Sequence, residues 1–343
     1  MALTTLTCPK CTAPLPPTSA SALVCAFCDH VVVDVPDAWR LRPVVVPPWG
    51  GRKEDAGKPR CGLGKHVYVI DGRLGRGDSS DVFLAHRDTR LTQRVALKVL
   101  RAEADADLLA REVRVVRELR ASETEGADFF RRLLPEPIAH GALRLHDAAG
   151  SRTPGKVRSG GPLATAFRFR AGFEATASDI REVFPRGVDP RHAVWMWKRV
   201  LDMLGWLHRA GVVHGAVLPP HLLVRPDAHA VVLLGWGATT WRLGRARSLL
   251  PARSERFAAL YPAAATKPPE PALDLAMLAR TLLWLTDGAR VPAPVRRLLE
   301  TCADRPPTDD AWALKDQVSK AAEAVWGPPK FVPFVLPASR SRA

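Results

Sequence analysis

The stretch Leu207-His208-Arg209-Ala210-Gly211-Val212-Val213-His214-Gly215-Ala216-Val217-Leu218-Pro219-Pro220-His221 decides how this chain is read. It follows Asp189-Pro190 and residues 191–209, where Val194, Trp197, Leu201, Leu204 and Leu207 recur at helical spacing and predict one buried stripe. From there onward the pattern is largely helical. Upstream the period changes. Residues 66–74, 81–86 and 94–100 are separated by a glycine turn and a polar turn, and their alternation predicts three consecutive antiparallel strands. Residues 103–121 place Leu108, Glu112, Val115, Val116 and Leu119 at helical spacing, with acids early and arginines late as the helix dipole favours. Residues 141–162 read as a hairpin-like insertion and 163–170 as a further strand. The fold class is α+β: a β-rich lobe followed by an α-rich lobe, together spanning residues 66–325.

Four motifs fall on this framework. Gly75-Arg76-Gly77-Asp78-Ser79-Ser80-Asp81-Val82 joins the first two strands, Val95-Ala96-Leu97-Lys98 lies on the third, Glu112 sits in the helix that follows, and Gly235-Trp236-Gly237 closes the strand 230–234. Further on come Asp274 and the pair Arg305-Pro306. In this order and spacing the chain resembles the protein-kinase family, as a degenerate, bacterial-type member. The resemblance implies a two-lobed protein-kinase-like fold with a nucleotide cleft at Gly75, Gly77, Lys98 and Glu112. It also implies that strand-edge backbone near 169–172 would meet an adenine, and that Asp274 holds the loop around His214 through hydrogen bonds. His214 and Trp236 would pack together between the lobes.

The same resemblance implies that the chemistry is lost. Ala216 stands where the family has the carboxylate that accepts the substrate's proton. Leu218 replaces the lysine on the transferring phosphoryl group, His221 the Asn ligand of magnesium, and Gly235 the Asp of the second metal anchor. Ser80 stands for the third glycine and crowds the turn, while Asp78 and Asp81 repel phosphate. Ala264 stands where a Glu would bridge to Arg305, which removes a usual anchor of the helical lobe. The expectation is a pseudokinase, with ATP bound weakly or not at all and without help from magnesium.

The N-terminus carries a separate signal. Cys8-x-x-Cys11, thirteen residues, then Cys25-x-x-Cys28 is the spacing of two metal knuckles that complete a tetrahedral thiolate site, and residues 1–33 resemble a zinc ribbon. Roughly 30 residues cannot bury enough surface unaided, so structural zinc would supply the folding energy. His30 lies just past the second knuckle and Cys61 and Cys302 read as ordinary reduced thiols. Residues 34–65 are dense in Pro and Gly and read as a linker, and residues 326–343 as a basic, Pro-containing tail.

Composition limits the function classes. The chain has 343 residues, 47% hydrophobic and 25% charged, which describes a globular protein. Lys and Arg number 50 against 35 Asp and Glu, but they are spread along the chain, which favours a solvated arginine-rich surface over a nucleic-acid footprint. No apolar run reaches the ~18 residues of a membrane span, and the start lacks a secretory pattern, so a cytoplasmic protein without a membrane partner is expected. His208, His214, His221 and His229 do not form a ligand pattern, and the ten tryptophans, Trp195, Trp197, Trp206, Trp236 and Trp284 among them, read as core. The leading function is therefore a catalytically inactive scaffold or regulator that binds another protein. The alternatives are a divergent phosphotransferase, with Asp202 or Asp227 as displaced base, and a nucleic-acid-binding zinc-ribbon protein. The cysteine spacing predicts about one zinc per chain by elemental analysis, lost when Cys8 and Cys11 become serine; a folded but metal-free N-terminal segment would refute the assignment.

Overall fold

Alternating side chains need a sheet with one face covered, and residues 58–168 supply it. The structure is a computed structural model that describes residues 8, 11, 13–15, 22–25, 31–33, 55, 58–89, 93–146, 161–173, 175–241 and 250–336. Near the N-terminus β1 (Ala22–Val24) and β2 (Val31–Val33) pair antiparallel. The main sheet holds β3 (Arg60–Leu63), β4 (His66–Arg76), β5 (Ser80–Arg87), β6 (Arg94–Leu100), β7 (Pro137–Ala142), β8 (Arg144–His146) and β9 (Leu163–Arg168). These seven strands are antiparallel in the order β7-β9-β6-β5-β4-β3-β8, and one face buries Leu63, Tyr68, Ala85, Val95, Leu97 and Ala166 as a continuous cluster. Helix α1 (Ala106–Arg120) follows β6, with Leu109, Val113, Val116 and Leu119 buried.

The sheet begins earlier than the sequence suggests. Strand β3 lies inside the 34–65 stretch read as linker, because proline removes only a donor: the Pro59 carbonyl still accepts from Ile70 N–H at 2.9 Å. Gly64, at φ 58°, then turns the chain directly into β4. Still earlier residues are held by charge. His86 lies between two carboxylates, with Nε2 3.1 Å from Asp55 and Nδ1 2.8 Å from Asp71, and the Lys58 ammonium reaches both acids at 3.2 and 2.9 Å. Strands β7 and β8 were not anticipated, and most of the 141–162 insertion lies outside the described residues.

The second lobe is built on α4 (Pro190–Arg209), after the short α2 (Ala127–Phe130) and α3 (Ala177–Val183). Asp189 caps α4 by accepting from Arg191 N–H at 2.9 Å, with Pro190 at the first helical position where no donor is needed. Trp197, Leu201, Leu204 and Leu207 are fully buried, as their spacing predicts. Helices α5 (Pro271–Thr286), α6 (Ala293–Asp304) and α7 (Ala311–Trp326) close around it. The small sheets β10 (Ala175–Thr176), β12 (Leu222–Arg225) and β13 (Ala230–Leu233), and β11 (Val212–Val213) with β14 (Thr240–Trp241), lie between the lobes' helices and strands in the chain. Part of the stretch read as a basic, Pro-containing tail is packed. Phe334 is only 6% exposed and joins the core of this lobe, because a Phe-Val-Pro-Phe run has apolar surface that the basic composition of the tail concealed. Among the described residues no helix is long and apolar enough to cross a membrane.

Burial of imidazoles makes this fold sensitive to acid. Desolvation pulls His214 from 6.5 to about 4 against the raising influence of Asp274, and pulls His229 to about 4 against its bond to Val332. The folded values lie below the unfolded one, so the unfolded chain takes up protons first; stability is complete above about pH 6.5 and falls as pH drops toward 4. Asp55 and Asp71, whose pKa values are lowered from 3.8, act only below this window. Burial also lowers His66, His140, His192 and His221, so urea unfolding between pH 7.5 and 4.5 should show stability falling steadily with acid, and a flat profile would contradict it.

Candidate functional site

The cleft between the lobes starts from one strand and one helix. Lys98 on β6 faces Val82 of β5 and Thr165 of β9 in register, and its ammonium donates to Glu112 of α1 at 2.6 Å. Glu112 is 4% exposed, so this is a short, charge-assisted bond in a partly desolvated place.

The glycine turn above them is closed on itself. Gly77 N–H donates to Ser80 carbonyl at 2.8 Å, and Ser80 is buried. Arg101, one residue past β6, donates to the Gly77 carbonyl at 2.9 Å through its guanidinium and to the Ser79 carbonyl at 2.9 Å through its backbone. A phosphate-binding turn keeps backbone N–H groups directed at the ligand. Here the Gly77 donor is already engaged. Gly75 is paired with Val82, and a Cβ added there would meet nothing within 4 Å, so no close approach demands a glycine at that position.

Below the cleft, Asp274 organises the loop. Wholly buried on α5, it accepts from His214 N–H and Gly215 N–H at 2.8 Å each, and His208 Nε2 lies 3.0 Å from the same carboxylate. Thr281 Oγ1 adds a bond to the Val217 carbonyl at 2.8 Å. His214 packs edge-on against Trp236 at 4.7 Å between ring centres, and its Nδ1 accepts from Ala216 N–H at 3.3 Å. Leu218 is buried in the core of the helical lobe rather than directed to a ligand.

Ala216, His221 and Gly235 adjoin one another. His221 Nδ1 donates to the Ala216 carbonyl at 2.8 Å, which places the imidazole over Gly235. A Cβ at Gly235 would lie 2.4 Å from His221 Cε1, 2.5 Å from Nδ1 and 2.6 Å from Cγ, and Gly235 has φ 80°. The ring thus occupies the volume into which any side chain at 235 would project. Burial holds His221 below its ordinary pKa, the Lys98 charge acts in the same direction, and the bond to Ala216 opposes both. A neutral ring with Nδ1–H on a carbonyl, a methyl group and a glycine offer no carboxylate to a hard cation, so these residues do not fit the magnesium ions of a phosphotransfer site.

The proposed displaced bases are committed elsewhere. Asp202 binds Lys315 of α7 at 2.6 Å, and Asp227 binds Arg225 at 2.9 and 3.0 Å. The anchor sought at 264 and 305 has a counterpart that sequence reading missed: Arg280 of α5 donates to the Ala303 carbonyl at 2.8 Å and the Ala259 carbonyl at 3.3 Å. Arg101 and the ring position of His221 were missed too. No local pattern announces either, since each depends on a partner distant in the chain.

A second cluster lies at the N-terminus. The Sγ atoms of Cys8, Cys11 and Cys25 all lie within 4.8 Å of one another, Cys11 to Cys25 at 3.7 Å, and all three are buried. Cys8 N–H donates to the Ala13 carbonyl at 2.8 Å, closing the first knuckle. Cys28 and His30 lie outside the described residues. Three convergent thiols fit a soft, tetrahedral cation. The other carboxylate–imidazole cluster, Asp55, Asp71 and His86, already holds the Lys58 ammonium.

No family model matches the chain, and no curated protein matches it. Solved structures do. A Toxoplasma gondii specific rhoptry antigen kinase domain superposes with TM-score 0.53 at 16% identity, covering 78% of this chain and 88% of that one. The chain has the two-lobed protein-kinase fold. Vaccinia related kinase 3 superposes with TM-score 0.56 at 13% identity over 86% of this chain and 96% of that one. At such identities the likeness concerns the backbone and leaves activity open.

The contact of His221 with Gly235 has a measurable consequence. Gly235→Asp should destabilise the protein by about 2–4 kcal/mol, from left-handed backbone strain and overpacking. A double-mutant cycle with His221→Ala, read by urea unfolding, should show the two changes strongly coupled. A Gly235→Asp protein as stable as the native one would contradict the packing.

Proposed function

We propose that this chain is a catalytically inactive kinase-like protein that serves as a scaffold or regulator for another protein. The observation that carries the reading is the His221 ring lying over Gly235 and bonded to Ala216. In-line phosphoryl transfer needs a base for the nucleophile and metal ions that neutralise the outer phosphates. Loss of a general base alone costs about 10²–10⁴ in rate. Here the base and both metal anchors are replaced together, and the imidazole at 221 fills the space beside Gly235.

The same geometry supports weak or absent ATP binding. Lys98 is the cation facing the cleft and is bonded to Glu112, while the turn above it has its Gly77 donor engaged and its carbonyls held by Arg101. What the fold retains is a rigid two-lobed surface. We further assign the N-terminal thiols Cys8, Cys11 and Cys25 to a structural zinc site, with Cys28 as the fourth ligand from its spacing.

Radiolabelled ATP with magnesium or manganese tests the reading. No label should enter the protein or an added protein substrate, and calorimetry should give no ATP affinity tighter than about 10 μM, roughly 7 kcal/mol. Label that enters the native protein and disappears in Lys98→Ala would overturn it, as would tight binding that requires the metal.

A further inference from the structure

Residues 331–334 touch two bodies at once. On one side Phe331 packs on the cluster of Cys8, Cys11, Ala13, Leu15 and Cys25, and its N–H donates to the Cys11 carbonyl at 3.1 Å. On the other side the Phe331 ring stacks on His229 at 4.1 Å, and His229 stacks on Trp195 of α4 at 4.4 Å with the rings 5° from parallel. His229 Nε2 donates to the Val332 carbonyl at 2.8 Å. Phe334 completes the seat, stacked on His192 at 4.2 Å, and Trp195 Nε1 donates to His192 Nδ1 at 3.3 Å.

His229 is the non-glycine residue with left-handed backbone among those described, at φ 45°. It sits at the tip of the β12–β13 turn, where Arg199 Nε donates to its carbonyl at 3.1 Å. A glycine would take this conformation without strain. An imidazole there is explained by the sandwich it fills between Trp195 and Phe331 and by its bond to Val332. The strain and the stacking point to the same task, which is to hold the C-terminal segment down.

The cysteine knuckle is too small to bury its own apolar surface, and Phe331 covers it. We propose that residues 331–334 form a strap that seats the cysteine knuckle on the helical lobe, so that the ligand state of the thiols is transmitted through Phe331 to the His229–Trp195 stack. The transmission rests on the metal assignment made above, whereas the seating does not. Removing the metal frees the knuckle, the knuckle no longer presents the Cys11 carbonyl, and the strap loses one of its two supports.

Hydrogen exchange on the full chain reads the coupling. Cys8→Ser with Cys11→Ser, or extraction of metal from the native protein by a chelator, should speed exchange in residues 329–336 by about tenfold, from loss of the Phe331 packing on the knuckle and of its bond to the Cys11 carbonyl. Protection along α4 should stay unchanged. Equal exchange with and without metal would overturn the transmission. Phe331→Ala and, separately, His229→Asn, which tolerates the left-handed backbone but lacks the ring, should each speed alkylation of the N-terminal thiols by a similar factor. Unchanged thiol reactivity in both variants would overturn the strap. If the native protein contains no metal, the zinc assignment and the transmission fail, and thiol alkylation still decides whether the strap seats the knuckle.

Discussion

A single buried carboxylate carries the geometry of the cleft. Asp274 lies on α5 at 0% exposure and receives two backbone N–H groups and an imidazole. A carboxylate taken out of water is costly unless its oxygens are filled, and here they are. In return the loop from His208 to Gly215 has a fixed course, which sets where the Ala216 carbonyl points and therefore where His221 turns. Removing Asp274 would leave the His214 and Gly215 amides unsatisfied in the interior, so the loop depends on it more than on any apolar contact.

The cleft between the lobes is filled by internal contacts. Lys98 and Glu112 join sheet to helix, and His214 packs on Trp236. The glycine turn is fastened by Arg101, and the place for a side chain at 235 is taken by an imidazole. Each of these features satisfies a cleft group with an internal contact.

Much of this is legible in the sequence. Local period gave β4 to β6, α1 and α4, and the resemblance to protein kinases implied the contact of Lys98 with Glu112 and that of Asp274 with the loop at His214. What escaped shares a physical cause. Strand β3 hides among prolines because only its register with β4 and β8 marks it as a strand. Asp55 and Lys58 gain meaning from His86 and Asp71, which lie in other strands. The Phe331-Val-Pro-Phe334 run looks like a tail until His229, Trp195 and the cysteines surround it. In each case the deciding partner is remote in sequence, and no window along the chain contains both members.

The His221–Gly235 contact also shapes which sequences lie within reach of this one. A carboxylate at 235 needs the imidazole to leave first, and the imidazole leaving first opens a void over a left-handed glycine. Either order passes through a chain less stable than the one at the start. For a protein of ordinary marginal stability, the pair works as a ratchet: a carboxylate at 235 comes at a loss of stability unless the residue at 221 changes with it.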